Sequence, residues 1–121
     1  QSVDDKEWKT GTLAAGDSEY RSQSALNGLA ITNAYKDNVE YPAFQAAATY
    51  GSGTAFEWFL PSYAQWNLMK AAAQGKVDGQ FWTATENNPT NAWNCSISES
   101  SSSFGYSDKT GWLRVLPCFA Y

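Results

Sequence analysis

Trp58-Phe59-Leu60-Pro61-Ser62-Tyr63-Ala64-Gln65-Trp66-Asn67-Leu68-Met69 is the stretch on which the fold of this chain turns. Its opening, with Phe56 and Glu57 ahead of it, is an apolar run that reads as a short buried strand. Pro61-Ser62 then opens a helix from Tyr63 to Gln74, closed by Gly75. Ser62 is the natural N-cap, because its hydroxyl can accept from an otherwise orphaned N–H of the first turn. Gln65, three residues on, completes a capping box. Leu68, Met69 and Ala72 lie at core spacing, and Trp66 extends that face.

Upstream, Tyr41 to Tyr50 is Ala-rich, has Pro42 in its first turn and stops at Gly51, which predicts a second helix. Phe44, Ala47 and Ala48 share one of its faces. Residues 1–30 are polar and read as loops with short extended pieces; Asn27-Gly28 is a turn signal. Downstream, Phe81-Trp82-Thr83-Ala84-Thr85 has strand propensity. Asn87 to Asn91 is a loop containing Pro89. Ala92 to Ser98 alternates: Trp93, Cys95 and Ile97 point one way, and Asn94, Ser96 and Ser98 the other. The Ser-rich run Ser98 to Ser103 reads as a hairpin tip. Phe104-Gly105-Tyr106 and Trp112 to Tyr121 complete the sheet. The predicted class is α+β, with two helices packed on a small antiparallel sheet and a loop-rich C-terminal half. One domain spans residues 1–121.

Composition narrows the function. Hydrophobic residues make up 43% of the chain, enough for a core. Aromatic residues make up 16%, with six Trp and seven Tyr, which suits a recognition surface. Trp58, Trp82 and Trp93 are assigned to the core. The net charge is −4 and the only arginines are Arg21 and Arg114, so nucleic acid is excluded as a partner. The scattered cations also argue against an anionic membrane surface, and no apolar run approaches the ~20 residues that span a bilayer. The polar start at Gln1 shows no signal peptide and fits either a mature protein or an excised domain.

The count of histidine is zero. Ser-His-Asp and Cys-His pairs are therefore excluded, as are imidazole metal ligands. Apart from Asp4-Asp5, the acidic residues are dispersed and read as solvated. Glu86, at a strand end, either orders the following loop or is one more solvated acid. With no CxxC and no Cys/His cluster, a metal site has no support and no cofactor is expected. Cys95 and Cys118 fit one disulfide or two buried thiols.

Asn27-Gly28-Leu29-Ala30-Ile31-Thr32-Asn33-Ala34, the Ala-rich helix and then Trp58 to Met69 resemble a bacterial C-type-lectin-like family of surface lipoproteins and fimbrial tips. In that family a W-x-LPS-x-x-E/Q-x-N-x-hydrophobic stretch opens the second helix. YWSSTE, NAW-x-V-x-F and VRPVRAF-like segments follow it. Phe81 to Glu86, Asn91 to Ile97 and Val115 to Tyr121 occupy those places, so the resemblance covers residues 27–121. The C-terminal pattern also resembles the variable proteins of diversity-generating retroelements, in which adenine-containing codons of an exposed face are rewritten. The Asn, Ser, Thr, Tyr, Gly and Asp residues between Asn87 and Trp112 suit that process, and they equally suit an ordinary polar hairpin. Leu116 and Phe119 depart from the arginines common in the family. Cys95 and Cys118 replace small apolar scaffold residues on what the resemblance makes neighbouring strands, so the two thiols are expected to face each other as a candidate disulfide.

The resemblance implies a non-catalytic receptor-binding or adhesion domain that displays a variable C-terminal surface, as a retroelement variable protein does; it would be extracellular, on a cell surface or phage virion, with a protein or glycan receptor as partner. Its expected ligand face comprises Asn87, Asn88, Asn94, Ser96, Ser98, Phe104, Tyr106, Ser107 and Trp112. Asn and Ser would supply adaptable hydrogen bonds and the aromatic rings rigid contact area. The alternative is a fixed carbohydrate- or protein-binding adhesin domain. A remoter one is an enzyme like the formylglycine-generating family, which relies on reactive cysteines. A calcium site is not expected, because Glu86, Glu99 and Asp108 are too few and too far apart for a set of six to eight oxygens.

Overall fold

The computed structural model describes residues 3–10, 21–50 and 55–119. In chain order these form β1 (Val3–Glu7), α1 (Gly28–Tyr35), α2 (Pro42–Tyr50), β2 (Trp58–Phe59) and α3 (Tyr63–Ala73). There follow β3 (Gly79–Glu86), β4 (Asn91–Ile97), β5 (Ser102–Asp108), β6 (Trp112–Val115) and β7 (Cys118–Phe119).

The capping box of Ser62 and Gln65 is formed. Ser62 Oγ accepts from the Gln65 N–H (3.3 Å), and Gln65 Oε1 accepts from the Ser62 N–H (2.8 Å). The same Oε1 accepts from the Gly28 N–H (3.1 Å), and Ser62 Oγ donates to Ala25 O (2.9 Å). One cap thus starts α3 and holds the first turn of α1. A β-carbon at Gly28 would collide with Gln65 Oε1 and Leu60 O, so only glycine fits there. Asn27-Gly28 therefore opens a helix and not a turn. The architecture has three helices among the described residues, where two were predicted.

Strand order in the main sheet is β1-β6-β3-β4-β5, with β2 and β7 forming a separate two-stranded ribbon. The main sheet is mixed and not purely antiparallel. β6 lies antiparallel to β1 but parallel to β3, with Phe81 opposite Arg114. The C-terminal half is built mainly of strands, so the loop-rich expectation is corrected. Polar Ser and Thr residues there are paired in ladders, which residue type alone does not disclose.

Adjacent residues of a strand point to opposite faces, so β3 feeds two cores. Trp82 and Ala84 join Trp8, Ile31, Tyr41, Phe44, Leu60, Ala92 and Val115. Phe81 joins Trp66, Cys95 and Ile97, with Met69, Ala73 and Phe104 against them. Phe81 to Glu86 are all buried, as suits a strand covered on both sides. On α3 the inward stripe is Trp66, Met69 and Ala73. Leu68 is 76% exposed, and Ala72 also faces outward. The expected stripe is thus rotated. Trp66 sets the phase, because its bulk is fully buried and its Nε1–H donates to Trp82 O (3.3 Å).

Cys95 and Cys118 are free thiols, so the candidate disulfide is absent. Cys95 lies on β4, whose neighbours are β3 and β5, whereas Cys118 pairs with Phe59 in the separate ribbon. Cys118 Sγ instead lies 4.0 Å from Met69 Sδ. Burial pushes each thiol up to about 11 from 9.0. Alkylation of the folded chain at pH 8 is therefore expected to be much slower than that of the urea-unfolded chain, which should titrate two thiols. A raised pKa favours the folded state below the unfolded value, and that benefit is lost as pH climbs toward the folded value. Stability should then fall between about pH 9 and 11, measured by urea melts across that window.

Candidate ligand-binding surface

The β4–β5 hairpin is regular from Asn91↔Asp108 to Ile97↔Ser102, and its two faces differ. Trp93, Cys95 and Ile97 lie opposite Tyr106, Phe104 and Ser102, on the face that carries α3. Ala92, Asn94 and Ser96 lie opposite Ser107, Gly105 and Ser103 on the other.

On the α3 face four rings make a continuous ladder. Phe104 stacks on Tyr63 (3.9 Å between centroids), Tyr63 meets Trp93 edge-on (5.2 Å), and Trp93 meets Tyr106 edge-on (5.6 Å). Lys70 Nζ sits 5.2 Å from the Phe104 centroid. The far end is open to solvent, with Tyr106 59% exposed. Tyr63 is held at the start of α3 because its N–H donates to Thr85 Oγ1 (2.9 Å). Asn91 and Asp108 continue the same face beyond Trp93 and Tyr106. The Thr110 hydroxyl and N–H both donate to Asp108 Oδ1 (2.6 and 2.9 Å), and these bonds hold the carboxyl below its ordinary pKa.

Glu86 fastens the loops at this end. It is fully buried and not a solvated acid. Its Oε1 accepts from Lys109 Nζ (2.8 Å) and its Oε2 from Arg21 Nε (2.5 Å). The Lys109 N–H donates to Thr90 O (2.8 Å), which ties the segment after β5 to the loop after β3. Desolvation lowers the Lys109 pKa, and the Glu86 carboxylate opposes that shift.

The nine residues expected to form the face do not meet in one place. Phe104 and Tyr106 share the aromatic ladder. Asn87 and Asn88 lie in the loop near its open end. Asn88 Oδ1 accepts from the Thr90 N–H (2.9 Å) and the Asn91 N–H (2.9 Å), so it shapes the loop. Asn94, Ser96 and Ser107 lie on the opposite face. Asn94 is 2% exposed and its Nδ2 donates to Ser107 Oγ (2.8 Å), which corrects the expectation that it faces solvent. Asn94 is buried on β4 although it points away from Trp93, so alternation away from Trp93 did not mean exposure. Ser98 bonds with Ser101 at the hairpin tip. Trp112 is 62% exposed but stands on β6, with β3 between it and β4.

Two rings of the ladder, Tyr63 and Trp93, lay outside the expected face. Trp93, expected in the core, is only half-buried. Its alternation was correct, but nothing in the local sequence marks where α3 stops covering the strand. Tyr63 carried one signal, its place immediately after the cap.

The fold is α+β, a mixed five-stranded sheet with helices packed against it and a small second ribbon. No protein-family model matches the chain, and no curated protein matches it in sequence. A fimbrial protein from Bacteroides ovatus ATCC 8483 has a similar fold, with a TM-score of 0.55 and 12% identity over 95% of this chain and 33% of that one. The chain thus spans about a third of that protein's length, and at this identity the likeness is one of fold. Among the described residues no helix is long and apolar enough to cross a membrane.

Proposed function

We propose that the chain is a non-catalytic, adhesin-like binding domain of a bacterial surface or fimbrial protein, C-type-lectin-like in ancestry, that recognises a protein or glycan receptor. The observation that carries this reading is the ladder Phe104–Tyr63–Trp93–Tyr106, which presents an exposed ring on a regular hairpin. Rigid aromatic rings beside polar groups are the usual energetic centre of a recognition surface. The likeness in fold to a fimbrial protein supports the setting. A binding role is favoured over a cysteine enzyme because both thiols are shifted up, the reverse of an activated nucleophile.

A fixed surface is better supported than a retroelement-diversified one. Asn88 and Asn94 are spent on internal hydrogen bonds, and rewriting them would cost stability. Binding to immobilised glycan and extracellular-matrix-protein panels tests the proposal. Tyr106→Ala is expected to weaken the strongest interaction by about 2 kcal/mol, ~30-fold, with the melting curve unchanged. Equal binding by the native chain and Tyr106→Ala on every probe retained would remove the ladder from the site.

A further inference from the structure

β5 is an edge strand, and apart from Asp108 at its end nothing in its sequence protects it. Ser102-Ser103-Phe104-Gly105-Tyr106-Ser107-Asp108 has no Pro and no Lys, and its ladder with β4 has no bulge. Natural edges are normally blunted by such devices. Among the described residues no strand pairs with its outer side. The phase of that side follows from the bonds that bracket the hairpin, Ser98 N–H to Ser101 O (2.9 Å) and Lys109 N–H to Thr90 O (2.8 Å). Hydrogen-bonded pairs alternate along an antiparallel ladder. Ser103, Gly105 and Ser107 therefore bond to β4, while Ser102, Phe104 and Tyr106 turn N–H and C=O outward. Asp108 turns the same way, and its carbonyl accepts from the Gly111 N–H (2.8 Å).

Gly105 is a second, independent observation. Its φ is not positive, and a β-carbon there would meet only Asn94 Oδ1, at 3.5 Å, an ordinary contact. Neither its backbone conformation nor any clash within the described residues demands glycine. Glycine inside an unbulged strand otherwise often marks a place where a ligand or another backbone approaches closely, and on the outer edge of β5 that partner is a strand.

We propose that β5 is the pairing edge for a second copy of this chain, antiparallel about a two-fold axis at Gly105. The strand is self-complementary in that register. Phe104 falls opposite Tyr106 of the other copy, and both turn backbone groups outward, so they exchange hydrogen bonds. Ser103 falls opposite Ser107 on the other face. Asp108, the strand's one charge, falls opposite Ser102 and not its own copy. Shifting the register by two residues puts Phe104 on Phe104 or Tyr106 on Tyr106, and leaves Asp108 beyond the strand or facing Phe104. Gly105 meets Gly105 in a non-hydrogen-bonded pair, where backbones come closest, about 4.5 Å between Cα atoms. The aromatic ladders of the two copies then join side by side. The pairing does not depend on what that face binds.

One strand pair falls below the roughly 1,000 Å² of a stable interface, so association belongs in the micromolar-to-millimolar range. Sedimentation velocity of the 121-residue chain, without ligand, from about 10 μM to 1 mM, is expected to show a monomer–dimer equilibrium. Gly105→Asp sets like charges face to face on the side away from the ladder and should weaken the dimer at least tenfold. Gly105→Lys should do the same, and an equimolar mixture of the two variants should restore it. A native chain that stays monomeric to 1 mM would overturn the proposal. So would unweakened association of Gly105→Asp, or a mixture of folded variants that fails to pair.

Discussion

Glu86→Ala is expected to lower the unfolding free energy by about 3–5 kcal/mol in urea melts at pH 7. Both carboxylate oxygens are engaged, by Lys109 and by Arg21, and the side chains of Glu86 and Lys109 are fully buried. Lys109 Nζ also lies 4.7 Å from the centroid of the Trp8 ring. Removing the carboxylate strands an ammonium group in the core. Burial already lowers the Lys109 pKa, and the variant deletes the charge that opposes the shift. Arg21 is part-exposed and can return to water, so Arg21→Ala should cost about 1 kcal/mol or less. Replacing the pair together, as Glu86→Leu with Lys109→Met, should recover most of the loss, because no lone charge remains. A cost below about 1 kcal/mol for Glu86→Ala would mean that water reaches Lys109 without the carboxylate.

Trp8→Ala is expected to cost about 3–5 kcal/mol by the same measurement. Trp8 is fully buried and meets Tyr35, Tyr41 and Phe44 edge-on at 6.4, 6.0 and 5.1 Å. Its Nε1–H donates to Thr83 O (2.9 Å), which pins the segment after β1 onto β3. Alanine leaves a cavity between helix and sheet and an unsatisfied carbonyl in the central strand. Trp8→Phe should lose less, keeping most of the volume while still forfeiting the hydrogen bond. If alanine costs no more than phenylalanine, the surrounding rings have collapsed into the space and the cavity estimate fails.

The features legible beforehand were local. Ser62 and Gln65 announce a cap because both partners lie within one turn of helix. The β4–β5 hairpin shows in its alternation and its Ser-rich tip. Pro42 and the alanines after it mark α2. The features that local sequence does not show depend on residues far apart in the chain. Glu86 looks like any dispersed acid until Arg21 and Lys109, 65 and 23 residues away, close on it. Trp8 sits among polar neighbours and gives no periodic signal. Cys95 and Cys118 share a residue type, yet they belong to different sheets.

The sequence by itself determined α2, α3 and the β4–β5 hairpin with the facing of its strand residues, through a period of 2 along the strands and through capping and helix-stop chemistry along the helices. It thereby located the hairpin that carries Phe104 and Tyr106. Only the tertiary structure decided which faces are covered. Asn94 is buried on the supposedly open face, Leu68 is exposed on the supposedly buried stripe, and Tyr63 and Trp93 complete the ladder. Periodicity is a property of one segment, whereas burial is set by what packs against it, and those partners arrive from elsewhere in the chain.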